Sequence, residues 1–358
     1  MNPAVSLTRT NGMVVAVTIV ATCLLITTAI PVPTLSGPIG VFVLCALPTI
    51  IMLDGMWAGA PDGWLAKQHR LVRGVIFLVI VLAAGAIVMA VANATIGGGQ
   101  GPSTPEMAMF TIVSVVMAFW LVNMWQAWPF RLIKSKIGAT VAVFLATYII
   151  ATIVYYAFFN FTGFPPVGSE PYGLFNAWYA LTYLVCFLTA MFLPPAFGFL
   201  GMGKLSQPLL GVVWTVLCLV WGAIIFGIGL AIAGDPVNVL VWVPVPLLFG
   251  GLIVLVVFRD SIFGHIKALA LRGVLTTVLS YAVGVGLVWL YGHQVIVANP
   301  DITADPPTYT WQLWIANATL AFTFPLLALY SNLFGQWPLR VAAPPEAAEV
   351  APEEATAA

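Results

Sequence analysis

Between Met13 and Gly335 the chain carries ten long stretches in which nearly every residue is apolar, at 13–33, 37–57, 73–95, 107–127, 138–160, 176–200, 207–233, 238–258, 270–297 and 311–335. An α-helix needs about 20 such residues to cross the hydrocarbon of a bilayer. Strands are excluded because they would alternate apolar and polar residues instead of running on uninterrupted, and because an open sheet in lipid leaves backbone groups unpaired. The sequence therefore predicts an all-α polytopic membrane protein with ten transmembrane helices, numbered here spans 1 to 10. Only 7% of the 358 residues are charged, against roughly 25% in a soluble globular chain. That figure excludes a water-soluble enzyme, a nucleic-acid-binding protein and a disordered chain. Span 1 follows Arg9 but is longer than the apolar core of a secretory signal and lacks a small-residue cleavage site, so it is expected to be retained.

The charges orient the spans, because loops rich in Lys and Arg stay in the cytoplasm. Arg9 precedes span 1; Lys67, Arg70 and Arg73 follow span 2; Arg131, Lys134 and Lys136 follow span 4; Lys204 follows span 6; Arg259, Lys267 and Arg272 follow span 8; Arg340 follows span 10. The alternate loops hold no basic residue, only Glu106, Glu170, Asp235, Asp301 and Asp305. Miscounting a single helix would scatter cations over both faces, so the segregation argues for an even number of spans and places both termini in the cytoplasm.

Glycines recur where the chain enters the odd spans: Gly12, Gly74, Gly138, Gly211 and Gly273, spaced 62, 64, 73 and 62 residues apart. Each interval holds one out-and-back pair, so the expected organisation is five sequential helical hairpins running in the same direction. The exits of two even spans agree, with Asn123-Met-Trp-Gln-Ala-Trp-Pro-Phe-Arg131 resembling Asn332-Leu-Phe-Gly-Gln-Trp-Pro-Leu-Arg340 at an offset of 209. An alternative origin is the general preference for Gly, Trp and Arg at membrane interfaces. Residues 1–341 form the expected transmembrane domain. Residues 342–358, rich in Ala, Pro and Glu and without an aromatic residue, are expected to be a disordered cytoplasmic tail. That composition is associated with GC-rich bacterial genomes, so the expected location is a bacterial inner membrane.

Little in the sequence points to catalysis. Cys23, Cys45, Cys186 and Cys218 all fall inside predicted spans without a C-x-x-C spacing, which indicates packing instead of a disulfide or zinc site. His69, His265 and His293 lie near span ends and cannot face one another as haem ligands. There is no nucleophile elbow, zincin motif or phosphate loop. No cofactor or metal is expected, and the only partners predicted are lipid, a small solute and a membrane-protein partner or second copy. Three features stand out as a substrate or ion pathway. Asp54 sits in the last turn of span 2, where the helix dipole and the hydrocarbon edge both disfavour a negative charge. Asn123 and Asn332 stand at a comparable depth in spans 4 and 10, so the three are expected to share a cytoplasmic mouth. Span 8 is broken by Pro244 and Pro246 and loosened by Gly250 and Gly251, and such interruptions commonly expose backbone carbonyls to a substrate. Asn317 in span 10 is the further polar candidate. Interior prolines fall in the even spans and not in the odd ones, which suits a bendable layer against a straight one.

These residues point first to a transporter or permease for a small neutral or weakly polar organic solute, acting as a facilitator or secondary transporter. A non-catalytic membrane subunit that anchors or completes a larger complex is the alternative, and an enzyme of lipid-like substrates the third. The topology is directly testable. A cysteine placed at Lys134 is expected to react with an impermeant maleimide only from the cytoplasmic side, and one at Asn299 only from the opposite side, both read on intact and permeabilised cells.

Overall fold

The structure, a computed structural model, describes residues 9–57, 65, 67–102, 104–162, 173–258, 262–304 and 309–334. Among the described residues ten helices are long and apolar enough to cross a membrane: Thr10–Ala29, Val32–Trp57, Leu71–Thr95, Pro105–Met124, Lys136–Phe158, Ala177–Ala196, Leu209–Ala233, Pro236–Phe258, Leu269–Ala298 and Thr310–Ser331. These are spans 1 to 10. The main shift from expectation is at the first junction, where Pro31 stops span 1 at Ala29 and span 2 restarts with Pro33 in its first turn, a position that suits a residue with no amide proton. The tail at 342–358 lies outside the described residues.

Spans alternate in burial. In the odd spans 17–33% of the residues of the most apolar window are buried, and in the even spans 61–78%. The even spans touch in the order 2, 4, 6, 8, 10 and back to 2, a closed inner ring. Each odd span lies outside, against the even span before it and the even span before that: span 5 rests on 4 and 2, span 7 on 6 and 4 and also on the start of 8, span 9 on 8 and 6, span 1 on 10 and 8, span 3 on 2 and 10. Consecutive spans therefore pack most closely where the basic loops join them (2 with 3, 4 with 5, 6 with 7, 8 with 9).

The two layers differ in regularity. The odd spans are each one unbroken α-helix. Four even spans contain π-helical turns, at Leu35–Ile39, Trp120–Met124, Ile253–Phe258, Ala318–Thr323 and Leu329–Leu333, and span 6 breaks at Met191–Phe192 before Leu193–Ala196. Proline accounts for part of this: Pro38 lies within a π turn whose Gly37 has ψ −106°. The segments Trp120–Met124 and Leu329–Leu333, 209 residues apart, close alike, on Trp125 and Phe334 with φ −85° and ψ −5° in both.

Small residues set how closely the layers approach, as expected where lipid supplies no hydrophobic drive for one helix to seek another. A methyl group on Gly12 would lie 3.0 Å from the Phe258 ring, on Gly74 2.5 Å from Phe334, and on Gly211 2.7 Å from Trp125; on Gly273 it would overlap Phe197. In each case an outer span seats an aromatic ring from the basic end of an inner span. Trp57 makes the corresponding contact to span 5 differently, with its Nε1 donating to Thr140 Oγ1 at 2.8 Å and Lys136 Nζ 5.1 Å from its ring centroid. The tightest approach is between spans 8 and 9, where a side chain on Gly250 would overlap the Ser280 carbonyl and one on Gly284 the Pro246 carbonyl.

This backbone contact can be measured. Gly284→Ala is expected to destabilise the protein by about 1–3 kcal/mol through overpacking, while Gly286→Ala, two residues along the same helix with nothing within 4 Å of the added methyl, leaves stability unchanged or raised. Thermal unfolding of both variants in one detergent distinguishes them.

Candidate functional site

Two cavities lie within the inner ring, and each is lined by all five even spans. At the acidic end a cavity of about 440 Å³ is bounded by residues that include Val41, Ile112, Leu181, Leu240 and Leu320, with Ser36, Thr104, Trp178 and Asn317 as its groups capable of hydrogen bonding. At the basic end a smaller one, about 100 Å³, is bounded by Ile51, Phe119, Phe192, Leu252 and Phe324 together with Asp54 and Asn123. Along each inner span the stretch between the cavities is dominated by buried apolar side chains, among them Leu47, Val115, Val116, Leu188, Val245 and Leu248. Phe119 forms the hub of an aromatic cluster at the edge of the smaller cavity, its ring centroid 5.8 Å from Phe192 and 5.5 Å from Phe324.

The pathway candidates divide by position. Asp54 and Asn123 line the same cavity, where span 2 and span 4 meet; a methyl on Gly55 would lie 3.9 Å from Asn123 Oδ1. Asp54 is half-buried and engaged in an interaction. Asn332 falls in the π turn Leu329–Leu333, and its side chain lies outside the described residues. Asn317 lines the larger cavity, with its Nδ2 donating to the Leu313 carbonyl at 3.0 Å and its Oδ1 against Gly40 of span 2.

Span 8 behaves differently from the expectation. Pro244, Pro246, Gly250 and Gly251 are absent from the lining of both axial cavities. The chain does break here, at Val243 with φ −118° and ψ −75°. Proline at 246 removes the amide that would bind the Trp242 carbonyl, and that carbonyl instead accepts from Tyr281 Oη of span 9 at 2.9 Å. The Pro244 carbonyl accepts from Thr189 Oγ1 of span 6 at 3.2 Å. These carbonyls thus serve neighbouring helices, and the glycines admit span 9. What faces the axis from span 8 is Leu240, Leu252 and Val256.

Sequence reading passed over the aromatic cluster and Ser36, and reads Trp178 only as part of an interfacial aromatic belt. Phe119, Phe192 and Phe324 sit in uniformly apolar runs with no periodicity to mark an axial face. Ser36 Oγ is buried without a hydrogen-bond partner, and only the pairing of Ser36 with the kinked Gly37-Pro38 could have signalled it.

A polar network covers the larger cavity. Tyr309, at the start of span 10 with a left-handed φ of 45°, donates its hydroxyl to Asp235 Oδ2 at 2.7 Å. Asp235 Oδ1 in turn caps span 8 by accepting from the amides of Val237 at 2.7 Å and Asn238 at 3.1 Å. Gln312 Nε2 donates to Asn238 Oδ1 at 3.2 Å and the Ala304 carbonyl at 2.9 Å, and the Tyr309 ring meets cavity-lining Trp178 edge to face at 5.6 Å. Spans 6, 8 and 10 are thereby tied together over the cavity. Among the described residues no cluster of His, Cys, Asp and Glu could hold a metal ion. Comparison of the chain with protein-family models, with curated proteins and with solved structures finds no match.

Burial, reinforced by the Asp235 carboxylate, pushes the Tyr309 phenol up to about 12. An unfolded tyrosine titrates near 10, so the stability this phenol contributes is whole below about pH 10 and is lost as pH rises through about 12. Tyr309→Phe is expected to flatten the fall in melting temperature across that interval, measured over a series of alkaline buffers.

Proposed function

We propose that the chain is an integral membrane permease for a small neutral or weakly polar organic solute, working as a facilitator or secondary transporter along the axis of the inner ring. The observation that carries this reading is the pair of cavities lined by the same five spans and separated by an apolar layer. A site reached from one side, closed by side chains and continued on the other is the arrangement that alternating access requires. The solute class follows from the lining. Hydroxyl, amide and indole groups can satisfy one or two hydrogen bonds, while a full charge would find no compensating group in the apolar layer and would pay heavily for desolvation. The π turns and breaks of the inner spans, set against unbroken outer spans, support motion of the inner layer against a scaffold.

Orientation and origin belong to the same proposal. Both termini face the cytoplasm of a bacterial inner membrane, with the smaller cavity on the cytoplasmic side. The ring is built from five sequential helical hairpins that arose by duplication, a reading supported by the glycine sockets and by the matched π turns 209 residues apart.

Purified protein reconstituted in liposomes provides the test. Stopped-flow light scattering with small polyols, alcohols and amides is expected to show solute entry faster than in empty vesicles, with Phe324→Ala raising the rate severalfold and Phe119→Trp lowering it. Rates equal to those of empty vesicles for every solute, with the protein folded, overturn the proposal. A proton-coupled cycle would use Asp54 or Glu106, the carboxylates in the end turns of spans 2 and 4, and Asp54→Asn is expected to abolish the pH dependence of such a flux unless Glu106 carries it.

A further inference from the structure

A groove of about 650 Å³ opens between spans 6, 7 and 9 toward their basic ends, sharing no lining residue with the axial cavities. Its walls are apolar, with Phe197, Phe199 and Met202 from the end of span 6, Leu217 and Trp221 from span 7, and Val278 from span 9. Trp221 is exposed on this surface. The segments that build the walls also carry cations. The 3-10 turn Gly198–Lys204 contributes Phe199 and Met202 and ends on Lys204, and Lys267 stands two residues before span 9 begins at Leu269. These segments are joined directly, because a methyl on Gly198 would lie 3.1 Å from the Leu269 side chain and Phe197 packs on Gly273. Lys204 and Lys267 are both exposed. No Asp or Glu occurs anywhere in 171–234 or 261–300, so the stretches that supply the groove contribute cations and no anion.

We propose that this groove binds an acidic phospholipid, with its acyl chains along Phe197, Leu217, Trp221 and Val278 and its phosphate held by Lys204 and Lys267. Any bilayer lipid can lay a chain against such walls, but a zwitterionic head group carries no net charge to match the cations. Basic pockets between membrane helices are selective for acidic lipids for this reason, each lysine near the surface adding to the attraction. A lipid seated here bridges the broken end of inner span 6 to outer spans 7 and 9. The proposal is independent of the transport reading, since it concerns binding at the periphery.

Native mass spectrometry of the purified protein, titrated with dioleoyl phosphatidylglycerol or dioleoyl phosphatidylethanolamine, tests the head-group preference. Phosphatidylglycerol is expected to bind at lower concentration, and the double variant Lys204→Gln, Lys267→Gln to weaken that binding on the order of tenfold while leaving phosphatidylethanolamine unchanged. The chains are tested by tryptophan quenching with brominated phosphatidylglycerol, where Trp221→Phe is expected to remove a quenchable component. Equal retention of the two lipids, unchanged binding by the double variant, displacement of the lipid by inorganic phosphate alone, or quenching unaffected by Trp221→Phe would each overturn the proposal.

Discussion

The whole arrangement depends on how closely two backbones can approach in a medium that gives apolar side chains no reason to prefer one another over lipid. Dispersion contacts and interhelical hydrogen bonds must then supply the specificity, and both fall away over fractions of an ångström. The contact of Gly250 with Ser280 and of Gly284 with Pro246 leaves no space for a side chain on either helix. Around the ring the same logic operates through aromatic rings seated on Gly12, Gly74, Gly211 and Gly273. Four outer spans are thereby fixed against an inner span that is not their nearest neighbour in sequence, span 5 is held to span 2 through Trp57, and this stagger closes five pairs into a ring.

That outer clamp makes an irregular inner ring affordable. A π turn or a proline within lipid leaves backbone carbonyls unpaired, at a cost of several kcal/mol each if nothing replaces the lost bond. Here the replacements come from outside the distorted helix: Tyr281 of span 9 for the Trp242 carbonyl, and Gln207, just before span 7, through Nε2 at 2.9 Å, for that of Met124 at the end of the π turn in span 4. Thr215 of span 7 accepts from both Trp120 at 3.0 Å and Trp125 at 3.2 Å, so the widened end of span 4 is held by its outer partner. The distortions are therefore specified positions with dedicated partners, and the smooth outer helices are the elements that supply them.

How much of this was legible in the sequence follows from which forces leave a local trace. Span number and class are readable because bilayer thickness imposes a length and an apolar composition on every helix separately, whereas the boundary at Pro31 is hidden inside an apolar run that continues to residue 33. Asp54, Asn123 and Asn332 are conspicuous in the sequence because they are polar residues at matched depths in apolar runs, and the first two line one cavity. The axis was not legible. An inner span in this chain is apolar on every side, so nothing in the order of Ile112, Val116 and Phe119 says which faces the centre and which the next helix. The same blindness explains span 8: Pro244 and Gly250 advertise a break and a close approach, but the partners that absorb them, Thr189, Tyr281 and Gly284, stand between 34 and 55 residues away along the chain.

The unequal cavities impose a further constraint on any solute that uses the axis. The larger one offers a few hydrogen-bonding groups spread over apolar walls, so a molecule entering it exchanges water for one or two directional contacts and dispersion. Between the cavities the inner spans are mainly apolar, with buried hydroxyls only at positions such as Thr49, Ser114, Thr189 and Thr323, and a solute that needed several hydrogen bonds at once would face its highest barrier there. On the proposed transport reading, passage depends on the aromatic cluster of Phe119, Phe192 and Phe324 giving way, and each of these rings adjoins irregular backbone: Phe119 directly precedes the π turn at Trp120, and Phe192 is at the break in span 6. Phe324 follows the π turn ending at Thr323 and is itself followed by Pro325. All three side chains that seal the smaller cavity are thus mounted where the helix is least regular, so a modest change in local winding moves the seal without disturbing the glycine contacts that hold the ring together.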